Sequence, residues 1–317
     1  MDKKRLQAVS HYCDYKKLAV FGQATRPGPD VKRTIKNLLI KTRPGKFTYS
    51  FFRRAAAFII RFLPLGGILH ARHYSNNRLG IFITLRCNLK CFNCQASTSL
   101  APANDMMAVE QMEKFVSEAI ALEYYWDNIF LTGGETTLHP RLFEIIDVLK
   151  RYKDFHPECR ISLETNGAGE EVQPMLDKLP EWVLVINSMK KEGESSQAFA
   201  SYNVAPCDTP EYMFFPCFSK GCFVLSRCYG LCVSMYGYYP CVQGMNVDRV
   251  FGFDIGIKKL GLVTEKALRE QMKILCRYCG FFRELTGKLV FTTKISRSWR
   301  EAFAQYHKRR PHLSRYG

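Results

Sequence analysis

The chain has 317 residues, 47% hydrophobic and 24% charged, enough to bury a sizeable core and incompatible with a disordered or collagen-like protein. No apolar run approaches the roughly 20 residues of a membrane span, and the N-terminal stretch MDKKRLQAVSHYCDYKK lacks the apolar centre of a secretory signal, so a cytoplasmic chain is expected. The net charge of +17 is uneven, with +14 over residues 1–78, −3 over 79–293 and +6 over 294–317; basic ends around a neutral body suit an anionic membrane surface, a nucleic acid or a phosphorylated substrate, or simply solvated tails.

Residues 1–78 read as a basic N-terminal extension. Arg26-Pro27-Gly28-Pro29 and Arg43-Pro44-Gly45 are turn sequences, with a short helical candidate at 31–40 between them. Over 47–63, Arg53, Arg54 and Arg61 fall opposite Phe51, Phe58, Ile59, Phe62 and Leu63 on a helical projection. Such a basic amphipathic helix suits peripheral contact with an anionic bilayer, or packing on the protein's own body. Pro64 and Gly66-Gly67 end it.

From Leu79 the pattern changes to short apolar runs that alternate with amphipathic stretches. Strands are expected at 79–85, 128–131, 160–163 and 182–186, and helices at 107–122, 139–150 and 172–179. Alternation of this kind favours an α/β fold with parallel strands and right-handed crossovers over 79–206. Residues 207–293 are richer in cysteine and less periodic, and read as a small separate domain; 294–317 read as a basic tail.

Thirteen cysteines in a chain expected to stay reduced favour metal or iron–sulfur ligation over a disulfide framework. After the first strand, Cys87, Cys91 and Cys94 are spaced C-x3-C-x2-C. Three thiolates on one loop can hold three corners of a [4Fe–4S] cluster and leave one iron open to bind a further ligand; a three-thiolate zinc site is the alternative. Gly133-Gly134-Glu135 follows the second strand, where glycines permit close backbone approach and the carboxylate can receive an ammonium group. Ser162, Glu164 and Asn166, with the turn residue Gly167, end the third strand and could bind sugar hydroxyls.

In this order and placement the segments resemble the radical S-adenosylmethionine (radical SAM) superfamily, over about residues 79–190. The resemblance implies a partial parallel (β/α) barrel, a cluster on Cys87, Cys91 and Cys94, and SAM chelating its fourth iron. It assigns Gly133, Gly134 and Glu135 to the SAM amino group and Ser162, Glu164 and Asn166 to the SAM side of the third strand. The reduced cluster would pass one electron to the SAM sulfonium, and the resulting 5′-deoxyadenosyl radical would take a substrate hydrogen. Where the family carries a bulky residue just before the third cysteine, this chain has Asn93, with Phe92 one place earlier.

Further on, Gly237-Tyr-Tyr-Pro-Cys241 and Cys276-Arg-Tyr-Cys279 resemble elements of SPASM and twitch domains, which hold auxiliary clusters, although one residue fewer separates the glycine from its cysteine here. Cys222, Cys241, Cys276 and Cys279 are the expected ligands of one auxiliary [4Fe–4S] cluster, with Cys228 as substitute and Cys232 less suited; a zinc site is the alternative. Cys13, Cys159, Cys207 and Cys217 read as structural or free. His139 and His156 read as capping or surface residues, and Tyr236, Tyr238 and Tyr239 as packing. No general base is identifiable.

The expected activity is therefore that of a radical SAM enzyme oxidising or epimerising a small polar or carbohydrate-like substrate, whether free, phosphorylated or lipid-linked, with a reducing electron donor as partner. Modification of a ribosomal peptide or of RNA is the alternative within the same chemistry. A non-catalytic, zinc-stabilised interaction protein is the alternative of another class.

Overall fold

Leu79, Ile81 and Ile83 are fully buried, and Phe82 between them is almost so. The first strand, β1 (Arg78–Thr84), is therefore apolar on both faces, as a central strand covered on both sides must be. The computed structural model describes residues 78–91, 93–187, 201–210, 218, 222, 230–282 and 294–317. The basic extension with the helix expected at 47–63, together with Cys13, Phe92, Cys217 and Cys228, lies outside the described residues.

Along the chain follow α1 (Val109–Ala121), β2 (Asn128–Gly133), α2 (Leu142–Phe155), β3 (Arg160–Thr165), the short α3 (Val172–Leu176) and β4 (Val183–Asn187). Each falls within a few residues of its expected place. The largest displacement is in α2, which starts at Leu142 because a 3₁₀ turn (Thr136–Leu138) and Pro140 occupy the preceding residues. One face of α1 (Met112, Phe115, Val116, Ala119) and one face of α2 (Ile145, Ile146, Leu149, Tyr152) are buried, and Phe115, Trp126 and Tyr152 pack ring on ring at 5.6–6.5 Å between centroids.

β1 to β4 pair in parallel in sequence order. The sheet then continues on the other side of β1. A hairpin of β5 (Leu231–Ser234) and β6 (Gly237–Tyr239) joins it, β5 lying parallel to β1 with Ile81 opposite Val233, which gives the order β4-β3-β2-β1-β5-β6. The architecture is thus α/β with a mostly parallel sheet, and part of the cysteine-rich region is built into that sheet. After the hairpin come α4 (Val242–Phe251), capped by Gly252 in the left-handed conformation, and α5 (Glu265–Leu275), capped by the Thr264 hydroxyl.

The basic C-terminal residues form α6 (Arg297–Lys308), whose Trp299, Ala302, Phe303 and Tyr306 are buried. Beyond it Tyr316 is buried as well, its hydroxyl 3.1 Å from that of Tyr238. Among the described residues no helix is long and apolar enough to cross a membrane.

Candidate functional site

The loops that leave the C-terminal ends of β1, β2 and β3 meet in one open cavity. Cys87, Cys91 and Cys94 line it together with Gly133, Gly134, Glu164 and Asn166. The C-terminal rim of parallel strands is where such sheets bind their ligands, since successive loops converge there.

The cysteine loop is held by backbone bonds. Gly134 N donates to Thr84 O and Glu135 N to Arg86 O, both at 2.8 Å, and Leu85 N donates to Asp105 O at 2.9 Å. The two loops stack so closely that a Cβ on Gly134 would stand 2.2 Å from Arg86 O and 3.0 Å from the Cys87 Cβ. Gly134 is thus required by the approach to the cysteine loop, and Gly133 by the end of β1, where its Cβ would stand 2.5 Å from Thr84 O, in addition to any role toward a ligand.

Glu135 is fully buried and does not line the cavity. One carboxylate oxygen accepts Thr137 N (3.2 Å), Thr137 Oγ1 (2.7 Å) and Thr165 Oγ1 (2.8 Å), and the other accepts Asn166 N (2.7 Å). Ser162 is also buried, its hydroxyl donating to Ile129 O at 3.3 Å. Glu164 faces the cavity and accepts Thr132 Oγ1 at 2.8 Å. Asn166 donates to Asn88 Oδ1 (2.8 Å) and approaches Cys87 Sγ (3.9 Å), while its Oδ1 accepts Ala168 N, forming the turn that Gly167 completes at φ +66°. Glu164 and Asn166 therefore face the cavity, whereas Glu135 and Ser162 fasten the strands behind it.

Among the described residues no two cysteines form a disulfide. Burial pushes Cys87 up to about 11, against the Leu89 N–H that donates to its sulfur, and Cys94, Glu135 and Cys91 push it further. Thiolates side by side in such a setting would need a cation between them, and soft sulfur donors with a glycine-lined approach fit an iron–sulfur cluster. Among the described residues no three His, Cys, Asp or Glu side chains are close enough to hold a single metal ion.

A second cavity is lined by Cys222, Cys241, Cys276 and Cys279, with Gln243, Gly244 and Leu275 beside them. Its apolar base is a small cluster of Phe218, Met272, Cys276 and Phe282, separate from the main core. Burial pushes Cys241 up to about 12, and Cys222 adds to the effect; burial, then Cys222 and Cys241, also raise Cys279 well above the ordinary thiol value. Cys241 caps α4, its sulfur accepting Gly244 N at 3.3 Å. Cys232 lies fully buried within β5 and does not line this cavity, and Cys159 and Cys207 are elsewhere.

The start of α4 separates the two cavities. Val242 lines the first and Gln243 the second, and Gln243 Nε2 donates to Gln95 Oε1, a residue of the first, at 2.5 Å. The sequence reading missed Asn88, Gln95, Thr132 and Gln243. Only their polar character within or beside the motifs could have marked them.

His139 is buried rather than superficial. Its Nε2 lies 2.9 Å from Met107 O, and its Nδ1 accepts Arg141 N at 3.1 Å. The tyrosines pack as expected, Tyr239 donating to Asp248 Oδ2 at 2.6 Å.

Residues 81–186 match the Radical SAM superfamily. Among curated proteins the chain is similar to molybdenum cofactor biosynthesis protein 1 of Bos taurus, 30% identical over 34% of this chain and 16% of that protein, and to GTP 3′,8-cyclase of Campylobacter curvus, 34% identical over 28% of this chain and 27% of that protein. The chain thus matches about a quarter or less of the length of these relatives. Among solved structures, BtrN in complex with AdoMet and 2-DOIA aligns with 68% of this chain and 98% of its own at 15% identity and a TM-score of 0.39. Residues 81–186 are a radical SAM domain, the domain of an enzyme superfamily that carries a [4Fe–4S] cluster and SAM.

Proposed function

We propose that the protein is a radical SAM enzyme in which Cys87, Cys91 and Cys94 hold the SAM-binding [4Fe–4S] cluster, and Cys222, Cys241, Cys276 and Cys279 hold one auxiliary [4Fe–4S] cluster, in the manner of a twitch-type domain. The observation that carries this reading is the convergence of three thiols with the Gly133-Gly134 loop, Glu164 and Asn166 on one cavity inside a radical SAM domain. Cys228 is the alternative fourth auxiliary ligand. When bound, the group supplies one-electron cleavage of SAM and thereby a radical able to take hydrogen from an unactivated C–H.

The chain's own residues bind and orient. Gly133 and Gly134 let a ligand's polar end approach the backbone, and Glu164 offers a carboxylate to an ammonium or hydroxyl group. A substrate held against the wall of Val242 and the Gln95–Gln243 pair would lie on the first cavity's side of α4 and near the second. A small polar, carbohydrate-like substrate undergoing oxidation or epimerisation suits two cofactor sites on either side of one helix end. A nucleotide substrate is the second reading, favoured by similarity to proteins named GTP 3′,8-cyclase.

The test is anaerobic reconstitution, analysis of iron, sulfide and zinc, and quantification of 5′-deoxyadenosine after addition of dithionite and SAM. About eight irons, falling to about four with loss of deoxyadenosine in a Cys87/Cys91/Cys94→Ala variant, would support the reading. Zinc without iron and no deoxyadenosine would replace it with the non-catalytic interaction protein. Deuterium transfer into deoxyadenosine from labelled sugar phosphates or from labelled GTP would then separate the two substrate classes.

A further inference from the structure

Arg249, on α4, is 2% exposed. Its guanidinium donates to Ala96 O and Ala101 O, each at 2.8 Å, and to Asn246 Oδ1 and the Tyr306 hydroxyl, each at 3.0 Å; its Nε has no partner. Every one of these acceptors is neutral. A buried cation without an anionic partner is costly, because water solvates the charge far better than carbonyls do.

Tying a loop to a helix does not itself require a charge. On α5, Gln271 binds two carbonyls, Tyr238 O at 3.0 Å and Ile255 O at 2.7 Å, with a neutral amide. The positive charge of Arg249 therefore calls for a separate reason, and its neighbours point to one. Ala96 is two residues beyond Cys94. Asn246, which accepts from Arg249, donates in turn to Ser97 Oγ (3.0 Å) and the Tyr202 hydroxyl (3.1 Å), and these two are themselves hydrogen-bonded. Ser97 N donates to Cys94 O at 2.8 Å, so the network from Arg249 reaches the main chain of the third cysteine.

We propose that Arg249 is the counter-charge of the cluster held by Cys87, Cys91 and Cys94: a fixed cation behind the cysteine loop that stabilises the reduced form and raises its potential. The oxidised core carries two positive charges against three thiolates, so the assembly is anionic already and becomes more so on gaining an electron. A cation in a dry, low-dielectric setting acts on that difference more strongly than any surface charge. The inference rests on the reading that these cysteines hold a cluster.

The test uses the full chain, reconstituted anaerobically, with the midpoint potential of the SAM-responsive cluster followed by electron paramagnetic resonance during titration with dithionite. Arg249→Gln removes the charge and Arg249→Lys keeps it. Asn246→Asp leaves the arginine in place but sets a carboxylate against it at unchanged size, and decides the matter by itself where Arg249→Gln does not fold. The expected result is a midpoint shifted to more negative values in Arg249→Gln and Asn246→Asp, with Arg249→Lys close to wild type and the signal of the second cluster unmoved. Wild-type midpoints at wild-type iron content in Arg249→Gln, or in Asn246→Asp, would overturn the inference. A wild-type protein that takes up no iron would overturn the cluster reading itself, and the inference with it.

Discussion

The Glu135 carboxylate accepts the backbone N–H of Asn166 at 2.7 Å, joining the loop after β2 to the end of β3 through a buried anion. Because Thr137 and Thr165 donate to the same carboxylate, Glu135→Ala would leave up to four donors unsatisfied. The expected loss is about 3 kcal/mol of stability, with a milder loss in Glu135→Gln, which keeps one acceptor. Thermal melting of the cluster-free protein checks this apart from any effect on cofactor. A melting temperature unchanged in Glu135→Ala would mean that the carboxylate is not the tie between these strands.

Gly134→Ala should act on the cysteine loop rather than on the core. Its Cβ would meet backbone, Arg86 O at 2.2 Å, and backbone cannot swing aside as a flexible side chain can. The Thr84–Cys87 segment must then shift, and iron bound per chain is expected to fall by up to half while far-ultraviolet circular dichroism stays native. Wild-type iron content in this variant would show that the loops tolerate separation.

The second cavity makes its own prediction. Cys279→Ala is expected to remove about four irons and leave SAM cleavage detectable, whereas Cys232→Ala, altered inside β5, should keep the full iron content. Equal iron in the wild type and Cys279→Ala would exclude that residue as a ligand. Loss of iron in Cys232→Ala without unfolding would move the ligand set toward β5.

The pH dependence of stability should carry a contribution from His139. Burial holds its imidazole below the ordinary value, partly opposed by its bond to Met107 O. The unfolded chain therefore binds the proton more readily, so this contribution is complete above about pH 6.5 and is lost progressively as pH falls below it. Protonation would also turn Nδ1 from the acceptor of Arg141 N into a donor. Urea unfolding between pH 5 and 8 is expected to show a shallower acid decline in His139→Gln than in the wild type; parallel curves would assign the decline to other groups.

Much of the fold was legible because local sequence and burial agree. The uninterrupted apolar run of β1 and the one-sided patterns of α1 and α2 each specify their element without reference to the rest of the chain. Cys87, Cys91 and Cys94 were legible because their chemistry is unusual and their spacing is local. What escaped depends on distant partners. Nothing in Leu231–Ser234 says that its neighbour is β1, some 150 residues earlier in the chain. The buried face of α6, with Trp299, Phe303 and Tyr306, was hidden by the basic residues interleaved with it. In the sequence a carboxylate after two glycines reads as facing a ligand, and the bonds that Glu135 takes from Thr165 and Asn166 are not visible there because these donors lie 30 and 31 positions away. Arg249 looks like any surface arginine until its helix is placed against the cysteine loop.

The anchoring of that loop bears on how such a protein is assembled. Thr84 and Arg86 accept main-chain bonds from Gly134 and Glu135, Leu85 donates one to Asp105, and Arg249 grips the carbonyls of Ala96 and Ala101. Each of these fastenings joins protein atoms to protein atoms far apart in the sequence, so the course of the cysteine loop is set only when β2, the Asp105 turn and α4 have all come together. The loop is therefore a late product of folding, and a chain cut short before α4 would hold the approach to its first cysteine in place and leave the stretch beyond the third without its anchor.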